Sequence, residues 1–283
     1  MSNAGAGYPK RRSPTVAGIF YPDEPRALET ALAAFEAKGN SKKKQQRNQA
    51  VAIIAPHAGW DLSGQAASDA FSAASGRNIS TVVIIGPLHQ DKSEGIFLSE
   101  SEYFETPIGE LTVDKELCSE LESCGTFFIT NDIPHLEEHS IEILLPFVKR
   151  GFPSASIVPI LIGGNRASII RGLSGGLDIV FGPIADSTLI IVSTNLCANL
   201  STATANAHAD RFVACLESGD HRLLIESLGA GTISGCGAAG CASLMGTALI
   251  GDKRPIVLSS SDSSDRPDHD PRKLVRYSSL AYF

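Results

Sequence analysis

Two histidines and one cysteine stand where this 283-residue chain can do chemistry. The apolar run Val51-Ala52-Ile53-Ile54-Ala55 stops at Pro56-His57-Ala58-Gly59. A short apolar run closed by a turn signal reads as a strand buried on both faces, which puts His57 at a strand end. The run 81–85 likewise delivers Gly86-Pro87-Leu88-His89, and 189–192 delivers Ser193-Thr194-Asn195. Ligands of open α/β sheets gather beyond the carboxyl ends of the strands, so these three ends are expected to converge on one site. The third candidate is Cys236, flanked by Gly235 and Gly237 in a small-residue loop, 232–241, that opens a helix through Ile250. Glycines let backbone approach a ligand, and a thiol near a helix N-terminus has its thiolate favoured.

Two imidazoles and a thiolate make a three-ligand site with a position left for water or substrate. Two histidines and one anionic ligand suit iron, and the softness of a thiolate also suits copper or zinc. Along 134–147, the spacing i, i+4, i+7 places His135, His139 and Glu142 on one face of a helix. Such a face can hold a metal or relay a proton, and it equally suits a helix N-terminus with two solvated imidazoles. His208 and His221 have no acidic or cysteine neighbours at ligand spacing and read as surface residues, while His269 falls in a loop marked by Pro267 and Pro271. Neither a phosphate-cradling glycine loop nor a nucleophile elbow is expected.

The elements that must position these groups follow an α/β rhythm. Residues 1–12 are Gly-rich and basic without periodicity and are expected to form a disordered tail, with one domain over 13–283. Asp23 can cap a helix whose apolar stripe is Leu28, Leu32 and Phe35. The stretch 39–49, with Lys42-Lys43-Lys44 and Arg47, reads as a solvated polar linker. Residues 63–74 have the small side chains of a helix packed closely on a sheet. Further strands are expected at 95–99, 156–162, 188–194, 256–258 and the C-terminus, a loop with a Thr106-Pro107 corner at 103–109, and helices at 114–123, 203–218 and 221–228.

Composition bounds the partners. A formal charge of -7 gives no electrostatic footprint for nucleic acid or an anionic membrane. No run is read as reaching the roughly 18 apolar residues of a membrane span, and no signal-peptide pattern opens the chain, so a soluble protein in a reducing, cytoplasmic compartment is expected. Six cysteines without C-x-x-C spacing suggest free thiols.

Taken in order, Ala-Gly-Ile-Phe-Tyr-Pro at 17–22, Pro-His-Ala-Gly-Trp at 56–60, Gly-Pro-Leu-His at 86–89, Glu-Thr-Pro-Ile-Gly at 105–109, Glu-His-Ser-Ile-Glu at 138–142, Leu-Pro-Phe at 145–147 and Cys-Gly at 236–237 resemble the Memo family. The resemblance implies an α/β fold, a single-domain three-layer α/β/α sandwich with a largely parallel or mixed central sheet, similar to the class III, LigB-type extradiol dioxygenases. It implies His57, His89 and Cys236 as a metal triad, with His139 nearby as an acid/base or substrate contact; the face over 134–147 adds Glu142 as a second catalytic candidate. It also implies a small aromatic molecule as substrate, or a phosphotyrosine peptide as ligand in a signalling protein linked to cell motility; the protein partner is unknown. The chain departs from the family pattern after the strand at 188–194, where Ser-Ser-Asp-Leu-x-His is replaced by Ser193-Thr194-Asn195-Leu196-Cys197-Ala198. Asn195 cannot act as a base and Ala198 cannot coordinate. Gln90 replaces a second histidine, and Cys197 reads as either a soft ligand or a buried core cysteine. Two functions therefore stand side by side: a metal-dependent oxidoreductase, and a non-catalytic scaffold using the same cleft.

Overall fold

A computed structural model describes residues 10–40, 49–265, 270 and 272–283. The tail before residue 10, most of the 39–49 linker with its lysines, and the loop at His269 lie outside the described residues. The chain opens with β1 (Arg11–Arg12), α1 (Pro25–Asn40), β2 (Ala52–Ala55), α2 (Trp60–Ala73), β3 (Thr81–Pro87), β4 (Gly95–Leu98), β5 (Tyr103–Thr106) and β6 (Gly109–Thr112). It continues through α3 (Lys115–Ser123), β7 (Phe128–Thr130), α4 (Ile133–Leu136), α5 (His139–Glu142), α6 (Leu145–Gly151), β8 (Ser156–Gly163) and α7 (Ala167–Phe181). It closes with β9 (Thr188–Ser193), β10 (Cys197–Leu200), α8 (Thr202–Ser218), α9 (His221–Gly229), α10 (Ala238–Met245), β11 (Ile256–Asp262) and β12 (Leu274–Tyr282).

The fold is a three-layer α/β/α sandwich around a mixed sheet ordered β10-β12-β2-β9-β3-β8-β4-β7. Its middle, β2-β9-β3-β8, is parallel and buried throughout β2, β3 and β9, which is why those sequences are apolar runs rich in Ile and Val. Each such side chain taken out of water contributes roughly 1.5–3 kcal/mol. β12 closes one side antiparallel to β2, with β11 on its other edge, since Leu280 pairs with both Ile54 and Val257. Successive residues of β3 show the two faces: a Cβ on Gly240 of α10 would sit 3.0 Å from Ile85, whereas one on Gly86 would sit 2.5 Å from Ser140 Oγ of α5. α1, α2, α5 and α6 thus cover one face, and α3, α7 and α10 the other. On the first face the small residues of α2 let it lie close, with Gly64 against the Phe35 ring.

Four expectations change. Arg11–Arg12 is no patternless tail: it pairs parallel with β5, and Arg12 is buried, because its guanidinium binds Glu142 and the carbonyl oxygens of His135 and Glu138. The 103–109 loop is a hairpin of β5 and β6 turning at Pro107-Ile108, with Thr106 Oγ1 donating to Gly109 O at 2.6 Å. The single helix expected over 134–147 is three short helices. Finally, Ala167–Ser187 is long and apolar enough to cross a membrane by length and composition. It packs as an interior helix instead, burying Ile169, Ile170, Leu173, Leu177, Val180 and Phe181 against β4, α3 and α10.

Candidate metal centre

The parallel register aligns the strand ends: Ala55 pairs with Ser193, and Val192 with Ile85. His57 and His89 each follow their strand by two residues, and the end of β9 lies between them. The His57 ring is buried. Its backbone N–H donates to Asn195 Oδ1 at 3.1 Å, and its Nδ1 lies 2.6 Å from Ser193 Oγ. Ser193 already donates its one hydroxyl proton to Ser140 O at 2.6 Å. Nδ1 of His57 must therefore be the donor, which leaves Nε2 facing Cys236 Sγ at 3.1 Å.

His89 is fixed by Glu138. Its backbone N–H donates to Oε2 at 2.6 Å and its Nδ1 to Oε1 at 2.9 Å, turning Nε2 toward the sulfur. The two rings meet edge to face, 5.2 Å between centroids. Burial opposes protonation of His89, but Cys236 and Glu138 outweigh it and push its pKa up to about 10. The same two interactions run the other way for their partners. Burial opposes ionisation of Glu138, yet its hydrogen bonds from His89 and Ser140 hold it down to about 2.

Cys236 is placed by α10. The helix lies close on the sheet through Gly240, and a Cβ on Gly237 would sit 2.3 Å from Ser193 O, so the preceding cysteine overhangs the end of β9. Asn195 N–H donates to Sγ at 3.2 Å. Burial would raise the thiol pKa, but His57, His89 and this amide together carry it well below the usual thiol value. These contacts favour the thiolate form of the sulfur.

His139 completes the cleft. It stacks on His89 at 4.8 Å and 19°, stands perpendicular to His57 at 5.8 Å, and takes the edge of Phe20 at 5.3 Å. Burial, and then the His57 ring, hold its pKa down to about 4, so it is a neutral base at pH 7. The ligand atoms of His57, His89 and Cys236 lie within 4.8 Å of one another. Donors about 2.0–2.3 Å from a shared tetrahedral ion are about 3.5 Å apart, so the 3.1 Å hydrogen-bond spacing opens by only a few tenths of an ångström to admit one. The donor set fits a metal.

The remaining candidates go elsewhere. Glu142 does not face this cleft: Oε1 accepts from Val16 N at 2.8 Å and Tyr21 Oη at 3.0 Å, and Oε2 from Arg12 and Thr15. His135 points into the interior, its Nε2–H donating to Phe97 O at 3.1 Å. Asn195 serves through its amide groups, Cys197 is a buried core cysteine, and Ala198 is exposed on β10. His208 pairs with Ser234 Oγ at 3.1 Å. Two motif spacings do occur in the chain, contrary to expectation, but neither has its structural context. Gly235-Cys236-Gly237-Ala238-Ala239-Gly240 follows α9 rather than a strand, and Gly172-Leu173-Ser174-Gly175-Gly176 lies inside α7, where Ser174 Oγ donates to Ser243 O at 2.8 Å. Ser193 lies at a strand end expected to join the site, whereas Glu138 and Ser140 were not anticipated there. No local signal marks Glu138, because glutamate is not a favoured N-cap, although its side chain accepts from Ser140 N at the start of α5.

A family model described as Memo-like protein matches residues 12–281. The chain belongs to the Memo family. Memo relatives resemble it end to end. A MEMO1 family protein of Desulfurococcus amylolyticus is 28% identical over 289 residues, covering 97% of this chain and 99% of the relative. One of Thermotoga neapolitana is 30% identical over 264 residues, covering 90% and 93%. One of Thermoplasma volcanium is 25% identical over 271 residues, covering 95% and 97%.

Proposed function

We propose that this Memo-family protein is a metal-dependent oxidoreductase of the extradiol type, acting on a small aromatic diol. The observation that supports it is the fixing of both ligand imidazoles: Ser193 and Glu138 accept from the two Nδ1 atoms, so both Nε2 atoms are presented to one thiolate. A metal-ligating histidine held through its other nitrogen by an oxygen acceptor is the usual supporting arrangement. Held by Nε2 of His57, Nε2 of His89 and Sγ of Cys236, an iron, copper or zinc ion supplies Lewis acidity at its remaining position. His139, neutral and stacked over His89, accepts the substrate hydroxyl proton at Nε2. A cavity of about 350 Å³ lined by Leu88, Ile162, Leu228 and Asn165 reaches Cys236 and has room for one aromatic ring. The six free thiols suit a reducing, cytoplasmic compartment.

The alternative is a signalling or scaffold protein taking a phosphotyrosine peptide in the same cleft, with Asn195 and Ala198 standing where a carboxylate and an imidazole are expected. Phosphate recognition draws on arginine or lysine. Among the described residues, the groups hydrogen-bonded to His57, His89 and Cys236 are hydroxyls, amides, a carboxylate and one another, which favours the oxidoreductase. Metal analysis of the purified protein tests this reading. It expects about one ion per chain, lost in His57→Ala, and oxygen consumption with catechols. Substoichiometric metal with no oxygen consumption overturns it, and phosphotyrosine-peptide binding abolished by His139→Ala then establishes the alternative.

A further inference from the structure

We propose that Glu138 is a positioning residue that keeps Nδ1 protonated on two histidines at once, His89 as a ligand and His139 as a base. Its carboxylate is 1% exposed and accepts three hydrogen bonds, with a fourth nitrogen at ion-pair distance. Oε2 accepts from His89 N at 2.6 Å, while Oε1 accepts from His89 Nδ1 at 2.9 Å and Ser140 N at 2.8 Å and lies 3.4 Å from His139 Nδ1. An ionised carboxylate only accepts, so His89 Nδ1 carries a proton, and an oxygen 3.4 Å from His139 Nδ1 repels a bare lone pair there and favours a proton on that nitrogen too. Each Nε2 is then turned away from Glu138 and toward the cleft.

The ring geometry permits one oxygen to serve both. His89 and His139 stack within 19° of parallel at 4.8 Å, which brings their Nδ1 atoms to the same carboxylate edge. The backbone keeps the carboxylate there. Glu138 is extended at φ -82°, ψ 124° between α4 and α5, its side chain caps Ser140, and its carbonyl oxygen accepts from Arg12 Nη2 at 2.9 Å. A glutamine of the same shape has one accepting oxygen and one donating nitrogen. It cannot receive every donor, so one ring must turn over or shift its proton to Nε2.

The part concerning His89 rests on the metal reading, and the part concerning His139 does not. Long-range proton–nitrogen correlation of ¹⁵N-histidine protein without added metal tests both. We expect Nδ1–H on His89 and His139 in the native protein, and loss of at least one in Glu138→Gln. Titration with Co²⁺, followed by its thiolate charge-transfer absorption, is expected to show affinity lower by roughly 10- to 100-fold in that variant and partial rescue in Glu138→Asp. An Nε2–H, Nδ1-bare form of either ring in the native protein overturns the proposal. So does a folded Glu138→Gln protein with both Nδ1–H signals and cobalt affinity unchanged, or a second equivalent of cobalt bound through His89 Nδ1, Glu138 and His139. If the glutamine variant does not fold, the native spectrum and Glu138→Asp decide. A native protein that binds no cobalt yet shows both Nδ1–H signals removes the metal reading and leaves the tautomer assignment of His139 standing.

Discussion

Glu142 and Arg12 form a pair 1% and 2% exposed, 130 residues apart in sequence. Burial would raise the Glu142 pKa, but the guanidinium and the amides of Thr15 and Val16 lower it. The pair also works at a distance, because Arg12 Nε donates to His135 O at 3.0 Å and Nη2 to Glu138 O at 2.9 Å, gripping both sides of the break between α4 and α5. Removing one member of a buried pair leaves the other charged and unpartnered, which costs about 3–5 kcal/mol. Glu142→Ala is therefore expected to lower Tm by roughly 10 °C. A differential scan that finds Tm unchanged, with activity lost, would return Glu142 to the catalytic role its spacing suggests.

At the scale of elements, α10 and β9 meet with no room between them. A Cβ on Gly237 would approach Ser193 O at 2.3 Å and Thr194 Cβ at 2.6 Å, both inflexible. Gly237→Ala is expected to push the start of α10 outward, destabilise the protein by about 1–3 kcal/mol and weaken cobalt binding by moving Cys236. Urea unfolding and the cobalt titration measure the two effects, and an unchanged affinity would show that Cys236 is placed by something other than this contact. The strands were legible because parallel, doubly buried strands leave continuous apolar runs: 81–85 and 189–192 fall inside β3 and β9. Convergence of His57, His89 and Cys236 was legible from the same ends and from family resemblance. The break at Glu137-Glu138 was not. Local spacing favours a continuous helix there, and what overrides it is tertiary, an arginine over 120 residues away binding the carbonyl oxygens that would otherwise accept helical bonds. Glu138 was hidden for the same reason: its partner His89 lies 49 residues off.

Across the whole molecule, buried histidines set the response to acid. Burial holds His135 at about 4, below the ordinary 6.5 it regains on unfolding. Between those values the unfolded chain binds a proton that the folded chain excludes, so the contribution of His135 is full above pH 6.5 and falls as pH drops toward 4. Asp132 and Phe104 face this ring, with Arg12 and Glu138 close by. His139, also held at about 4, adds slope of the same sign in that window. Replacing the imidazole with an amide that still donates to Phe97 O, His135→Gln, is expected to flatten the dependence by about 1.4 kcal/mol per pH unit. Denaturant midpoints at pH 4.5 and 6.5 in both proteins would show this, and equal slopes would mean that His135 is protonated in the fold.

His57 and His89 each trail their strand by two residues, so the candidate centre has an address counted in peptide units. Inserting one residue within β2 or β3 advances the chain by about 3.3 Å and turns every following side chain to the opposite face. Such a variant would keep both histidines and the cysteine in its sequence and still lose the cluster. Natural length variation in this lineage is therefore expected to collect in hairpin tips and linkers, and to spare those two strands.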